Sequence, residues 1–122
     1  MPSSSGVNPR RGEIWLVSLD PTLGDEMQKT RPAVVLNSDE LTTGLEVKVI
    51  VPITGWKNEF ENHAWFVRLT PNKTNGLSKV SGVNGLQIRS VSQGRFNKRL
   101  GKASPGELAD ILASVAIVLE IS

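Results

Sequence analysis

Apolar positions fall into short runs separated by polar, turn-forming stretches, and only the last run carries a helical period. Glu13 to Leu19 (EIWLVSL) is a β-prone run ending at the turn signal Asp20-Pro21, and it predicts a first strand. Pro32 to Asn37 (PAVVLN) predicts a second, its proline at the first position, where a missing N–H costs least. Glu46 to Thr54 (EVKVIVPIT) begins by alternating Val47 and Val49 against Lys48, then turns apolar on both faces, as a strand entering a core does. Gly55 to Asn62 breaks the pattern, and His63 to Leu69 (HAWFVRL) resumes it as a fourth strand. Thr70 to Ser81, with Pro71 and Asn75-Gly76, reads as a mobile basic loop. Val83 to Val91 is β-like around Gly85, which marks a bulge or a close backbone approach, and Arg95 to Leu100 is a short basic strand or turn.

The strongest local signature is Ser104-Pro105-Gly106-Glu107, an N-cap serine with proline at the first helical position and glutamate at the third. Such a capping box stabilises a helix by about 1 kcal/mol. Leu108, Ile111, Leu112, Val115 and Leu119 then recur at helical spacing, so one helix face meets an apolar surface. Short strands followed by one terminal helix predict a mainly β, α+β domain: a small, strongly bent antiparallel sheet or barrel with the helix packed on it.

The 122 residues suit one domain, with Met1 to Pro9 set aside as a disordered Ser/Gly/Pro-rich tail and residues 10–122 as the folded unit. There is no cysteine, so no disulfide framework and no thiolate ligand or nucleophile. No apolar run approaches the ~18 residues of a membrane span, and the first nine residues lack the apolar core of a signal peptide, so a soluble cytoplasmic protein without membrane association is expected. Net charge is only +2, but it is unevenly spread. Residues 62–106 hold Arg68, Lys73, Lys79, Arg89, Arg95, Lys98, Arg99 and Lys102 and no carboxylate. That pattern suits a polyanion, and equally a solvated basic face.

One histidine, no cysteine and scattered acids leave no metal-ligand spacing, so neither metal nor cofactor is expected. The same single histidine, without a G-x-S-x-G turn, excludes a serine triad, and the glycines form no phosphate-cradling loop. What remains is a guanidinium, a carboxylate and a hydroxyl. The stretch Asp20 to Leu36 (DPTLGDEMQKTRPAVVL) places Glu26 and Arg31 in one polar loop between apolar runs. RNA cleavage by its own 2′-hydroxyl needs a proton acceptor, a donor for the leaving 5′-oxygen and cationic donors for the phosphorane. Arg31 can supply a planar donor fork, Glu26 can take or orient the proton, and Thr54, ending its strand at Gly55, can add a hydroxyl. A surface ion pair of Glu26 with Arg31 and a strand-end cap at Thr54 fit the same residues. Trp15 and Trp65 read as core, whereas Trp56, and less securely Phe60, can offer a ring to an unpaired base.

Arg11-Gly12-Glu13-Ile14-Trp15 through Pro21-Thr22, then Gly24-x-Glu26, then Thr30-Arg31-Pro32-Ala33-Val34-Val35-Leu36, resembles the MazF/PemK (Kid) family of toxins from toxin–antitoxin systems. The resemblance continues through Val51-Pro52-Ile53-Thr54 and Gln87-Ile88-Arg89-Ser90-Val91 to the terminal helix. It implies an SH3-like (CcdB/MazF-like) antiparallel barrel with a C-terminal helix, assembled as a homodimer. It further implies a metal-independent, sequence-specific endoribonuclease that cuts single-stranded RNA to 2′,3′-cyclic phosphate and 5′-hydroxyl ends and so inhibits translation. A cognate antitoxin would neutralise it, and the pair would meet operator DNA only as a complex. Carried onto this chain, the catalytic set is Arg31, Thr54 and Glu26, with Gln28, Lys29, Thr30, Trp56, Lys57, Lys79, Gln87 and Arg89 as candidate RNA contacts. Met27 stands where some members have glutamine, and Asp25 where PemK-type members have histidine. Asn84-Gly85-Leu86-Gln87 aligns with the Arg-x-Asp-Gln of PemK-type members, lacking their acid–base pair, which implies the MazF branch in mechanism. A CcdB-like, non-enzymatic gyrase inhibitor is the alternative the shared fold allows, and a nucleic-acid-binding relative with weakened catalysis is another.

Overall fold

The computed structural model describes residues 7–19 and 30–121. Seven strands, β1 (Glu13–Ser18), β2 (Thr30–Val35), β3 (Val47–Gly55), β4 (Phe66–Leu69), β5 (Ser81–Asn84), β6 (Arg89–Ser92) and β7 (Phe96–Lys102), precede one helix, α1 (Pro105–Leu119). All strand pairs are antiparallel, in the order β4-β5-β3-β2-β1-β7, with β6 also on β3. The sheet is apolar on both faces because its central strands alternate between two cores. Val34 and Leu36 face the core shared with α1, while Ala33 and Val35 face a second one around Trp15 and Phe96. Those two aromatics meet edge to face at 5.9 Å. The mainly β architecture and the single terminal helix agree with the pattern of the sequence.

β3 is the strand the others share. Its first half pairs β6 (Val47↔Ser92 to Ile50↔Arg89), its middle pairs β2 (Ile50↔Val35 to Pro52↔Ala33), and its end pairs β5 (Ile53↔Val83 to Gly55↔Ser81). β5 and β6 are one segment interrupted by a 3-10 turn at Gly85–Gln87, the bulge that Gly85 signals. A Cβ at Gly85 would lie 2.5 Å from Ser114 Oγ on α1, so the residue also marks a close approach of backbone to helix.

Helix α1 starts as predicted. Ser104 Oγ accepts from the Glu107 N–H at 3.1 Å, and the Glu107 carboxylate accepts from the Ser104 N–H at 2.8 Å. Glu107 also accepts from Asn75 Nδ2 at 3.3 Å. Through that bond the cap ties down the segment 70–81.

Several local expectations change. Thr70–Ser81 is anchored rather than mobile: Asn75 is fully buried, accepts from the Leu77 N–H and donates to the Thr70 carbonyl. β2 begins at Thr30, so Pro32 is its third residue. β4 begins at Phe66, which leaves Trp65 half-exposed in the preceding turn and stacked on His63 at 4.6 Å, outside both cores. The alternation at the start of β3 runs opposite to its hydropathy, with Lys48 4% exposed and Val47 48% exposed. Lys48 shares a face with Ile50, so its methylene stem extends the second core while its amine reaches a surface hollow. Leu119 is half-exposed at the end of α1. Of the residues set aside as a tail, Pro9 is buried and Val7 packs on the second core.

Two glycines offer a controlled stability test. Gly44 and Gly76 both have positive φ, but a Cβ at Gly76 would fall 2.0 Å from the Leu100 carbonyl oxygen, whereas nothing lies within 4 Å at Gly44. Gly44→Ala should cost about 1–2 kcal/mol, the backbone term alone, and Gly76→Ala at least about 3 kcal/mol because backbone must move. Urea unfolding of the two variants measures the difference.

Candidate active site

The ladder between β2 and β3 stops at two prolines. Ala33↔Pro52 is its last pair, and the next residue of β2 is Pro32. Pro32 has no N–H to give the next pair, while the backbone N of Pro52 faces the other edge of β3, where that strand passes from β6 to β5. Beyond this point β2 stays with β1, through Leu16↔Pro32, Val17↔Arg31 and Ser18↔Thr30, while β3 turns to β5. The strands splay. Extending the lost register would set Arg31 opposite Thr54, and these two side chains meet across the gap, Arg31 Nη1 donating to Thr54 Oγ1 at 3.2 Å.

Arg31, Thr54 and the buried Ile53 form a ridge between two hollows and line both. The larger, about 300 Å³, is completed by Pro52, Phe60, Phe66, Asn84 and Gln87. The smaller, about 190 Å³, is completed by Thr30, Pro32, Gly55, Lys79 and Ser81. Gly55 leaves room for Lys79, whose Nζ lies 3.2 Å from where a Cβ would stand. A third hollow of about 330 Å³, at the other end of β3, is lined by Arg10, Asp39, Glu40 and Lys48 among others. Its charges are mixed, and Arg10 already faces Asp39 at 3.8 Å. The Arg31–Thr54 ridge combines a fixed cation, a hydroxyl and a neighbouring lysine without an adjacent acid among the described residues.

Among the candidate residues, the structure brings Arg31, Thr54, Thr30, Lys79 and Gln87 together. Glu26, Gln28 and Lys29 lie outside the described residues. Lys57 and Arg89 are exposed but line neither hollow. Trp56 is half-buried, with the Arg68 guanidinium 5.4 Å from its ring centre and the Phe60 ring perpendicular to it at 5.5 Å between centres, so its ring is already engaged within the protein. Its indole N–H is buried without a partner among the described residues. The ring surface beside Arg31 belongs to Phe60 and Phe66, stacked at 3.8 Å. Phe66 and Ser81 escape sequence reasoning because a strand residue carries no local mark of the pocket it faces. No group of three or more His, Asp or Glu side chains is placed to hold a metal among the described residues, and none of their helices is long and apolar enough to cross a membrane.

A family model described as PemK-like, MazF-like toxin of type II toxin–antitoxin system matches residues 10–119. This chain belongs to that family. It is 34% identical over 117 residues to endoribonuclease MazF9 of Mycobacterium tuberculosis, covering 92% of this chain and 97% of that protein. It is 32% identical over 110 residues to endoribonuclease PemK of Escherichia coli, covering 89% and 80%. Its fold is that of MazF from Deinococcus radiodurans, at a TM-score of 0.73 and 24% identity over 93% of this chain and 97% of that one. A mycobacterial endoribonuclease in complex with its cognate antitoxin shares it at a TM-score of 0.74 and 18% identity, covering 94% and 98%. The family that the motifs around Arg31 and Thr54 resemble is therefore the family of the chain, and the toxin has the fold expected of it.

The Arg31–Thr54 bond is half-exposed and joins no other side chain among the described residues. Arg31→Ala and Thr54→Val should each change the unfolding free energy by less than about 1.5 kcal/mol. Thermal melts that leave both variants folded would separate a functional pair from a structural one.

Proposed function

We propose that this toxin is an endoribonuclease that cuts single-stranded RNA at short sequence motifs without a metal ion, leaving 2′,3′-cyclic phosphate and 5′-hydroxyl ends. The Arg31–Thr54 pair across the splayed strands carries the reading, because it joins a permanent cation to a polarised hydroxyl on a ridge open on both sides. The substrate supplies the nucleophile. Its 2′-oxygen attacks phosphorus, the bond to the 5′-oxygen breaks, one proton leaves the 2′-hydroxyl and another reaches the 5′-oxygen. The planar fork of Arg31 donates to the phosphorane oxygens. With Thr54 Oγ1 accepting from Arg31, the threonine proton is directed away from the guanidinium and toward a bound phosphate. Glu26 is the proton acceptor or its positioning group.

Lys79 and Thr30 would hold the neighbouring phosphate in the smaller hollow. Gln87 lines the other side, and Lys57 and Arg89, exposed beyond the hollows, would be further RNA contacts, as would Gln28 and Lys29. The toxin would act in the cytoplasm as a homodimer, and half-exposed Leu86, Ile117 and Leu119 offer apolar surface for the second copy. A cognate antitoxin would neutralise it by covering the ridge; a mycobacterial endoribonuclease of the same fold is solved in complex with its cognate antitoxin. Operator DNA would be met only through that complex.

Incubating the protein with a long single-stranded RNA in EDTA and mapping the ends tests the reading. Discrete cuts ending in cyclic phosphate are expected. Arg31→Ala should lower the cleavage rate by at least about 10²-fold, the loss typical of an oriented donor at developing charge, and wild-type rates in that variant would remove the assignment. Intact RNA with a blocked DNA gyrase would mark the non-enzymatic alternative. Each phosphate contact contributes about 0.7 to the slope of log affinity against log salt on a single strand, so Lys79→Ala should flatten that slope by one such step. An unchanged slope would place Lys79 off the track.

A further inference from the structure

Asn84 ends β5 at the rim of the larger hollow, opposite Phe66 of β4. Its side-chain oxygen accepts from the Leu86 N–H at 3.1 Å, which caps the 3-10 turn at Gly85–Gln87. That bond settles the orientation of the amide. The oxygen is committed to the turn, so the two N–H donors point elsewhere, and they have no partner among the described residues. Asn84 lines the hollow with its oxygen bonded to the turn and its N–H donors without a partner among the described residues. Beside Asn84 on the same sheet face stands Phe66, stacked on Phe60, and the mouth is the Arg31–Thr54 ridge. A volume of about 300 Å³ holds one nucleobase.

Aromatic wall, donor rim and phosphate-binding mouth together describe a pocket for a single unpaired base. Resting on the ribonuclease reading, we infer that this hollow takes the base next to the cut phosphate, and that Asn84 selects a carbonyl-bearing base, uracil or guanine, over an amino-bearing one, cytosine or adenine. A base whose sugar and phosphate are held at the ridge enters with its far edge leading. At the leading position of that edge, C4 of a pyrimidine or C6 of a purine, uracil and guanine carry a carbonyl oxygen, whereas cytosine and adenine carry an amine. A donor fixed by its own backbone bond pairs with the carbonyl and meets the amine donor to donor. Gln87, whose amide makes no hydrogen bond among the described residues, can turn either way and so adds affinity with little choice.

Two substitutions keep the cap and change only what faces the base. In Asn84→Asp one carboxylate oxygen still accepts from the Leu86 N–H while the other replaces the donors with an acceptor. In Asn84→Ser the hydroxyl accepts from the same N–H and no amide remains. The probe is a randomised 2′-O-methyl RNA library, which lacks the nucleophile, so bound and unbound fractions report base preference without cleavage. The wild-type protein should enrich uracil or guanine at one position by about 3- to 10-fold, the worth of one neutral hydrogen bond. Asn84→Ser should flatten that position alone, and Asn84→Asp should turn it toward cytosine or adenine. Identical preferences in all three proteins, a uniform loss across positions, a wild-type preference for an amino base, or no retained RNA would each overturn the inference. Cleavage mapping on unmodified RNA reads the ribonuclease assignment separately: the predicted shift in binding without cuts would keep the base pocket and remove the enzyme.

Discussion

The site exists because the β2–β3 ladder ends at Pro32, which has no N–H for the next pair. Pro32 and Pro52 sit at the limit of β2–β3 pairing, and past them each strand follows a different neighbour. A continuous ladder would close the gap with backbone hydrogen bonds. Without it, two residues in register face each other through their side chains, and the guanidinium of one meets the hydroxyl of the other. The buried Ile53 of β3 packs in one core with Val83 of β5 and Val34 of β2, which holds the three strands around the point of divergence.

The charge distribution serves this opening only in part. Of the eight cations between residues 62 and 106, Lys79 reaches the ridge and Arg68 lies over Trp56 beside it. Arg99 is paired with Glu13 at 3.1 Å, and Arg95 donates to the Ser18 carbonyl. Lys98 and Lys102 lie exposed on β7, at the edge of the sheet farthest from β4. An acid-free stretch of sequence thus becomes several separate surfaces once its strands diverge, and a single groove does not use them all.

The terminal helix contributes at a distance. Its cap binds Asn75, whose amide holds the turn that carries the chain toward Lys79 and β5. Ser114 on its buried face presses against Gly85, which positions the 3-10 turn bearing Gln87 and capped by Asn84. One helix therefore braces segments of both hollows while touching neither directly.

What the sequence by itself determined is whatever acts over a few residues. The capping box at Ser104, the bulge at Gly85, the strand run from Pro32 to Asn37 and the toxin motif around Arg31 could all be read from neighbouring positions, because caps, bulges and short apolar runs are local. What the tertiary structure alone decided is which distant residues share a space. Arg31 and Thr54 are 23 residues apart and lie beyond the last β2–β3 pair, and only their side chains meet across the gap. Phe66 was read as an ordinary strand residue and Asn84 as a departure from a motif, yet a shared wall makes them neighbours of the ridge. Trp56, marked by its polar surroundings as a free ring, is taken up by Arg68 and Phe60. Lys48 is buried against its own polarity because strand position, once fixed by Ile50, leaves its side chain no other direction.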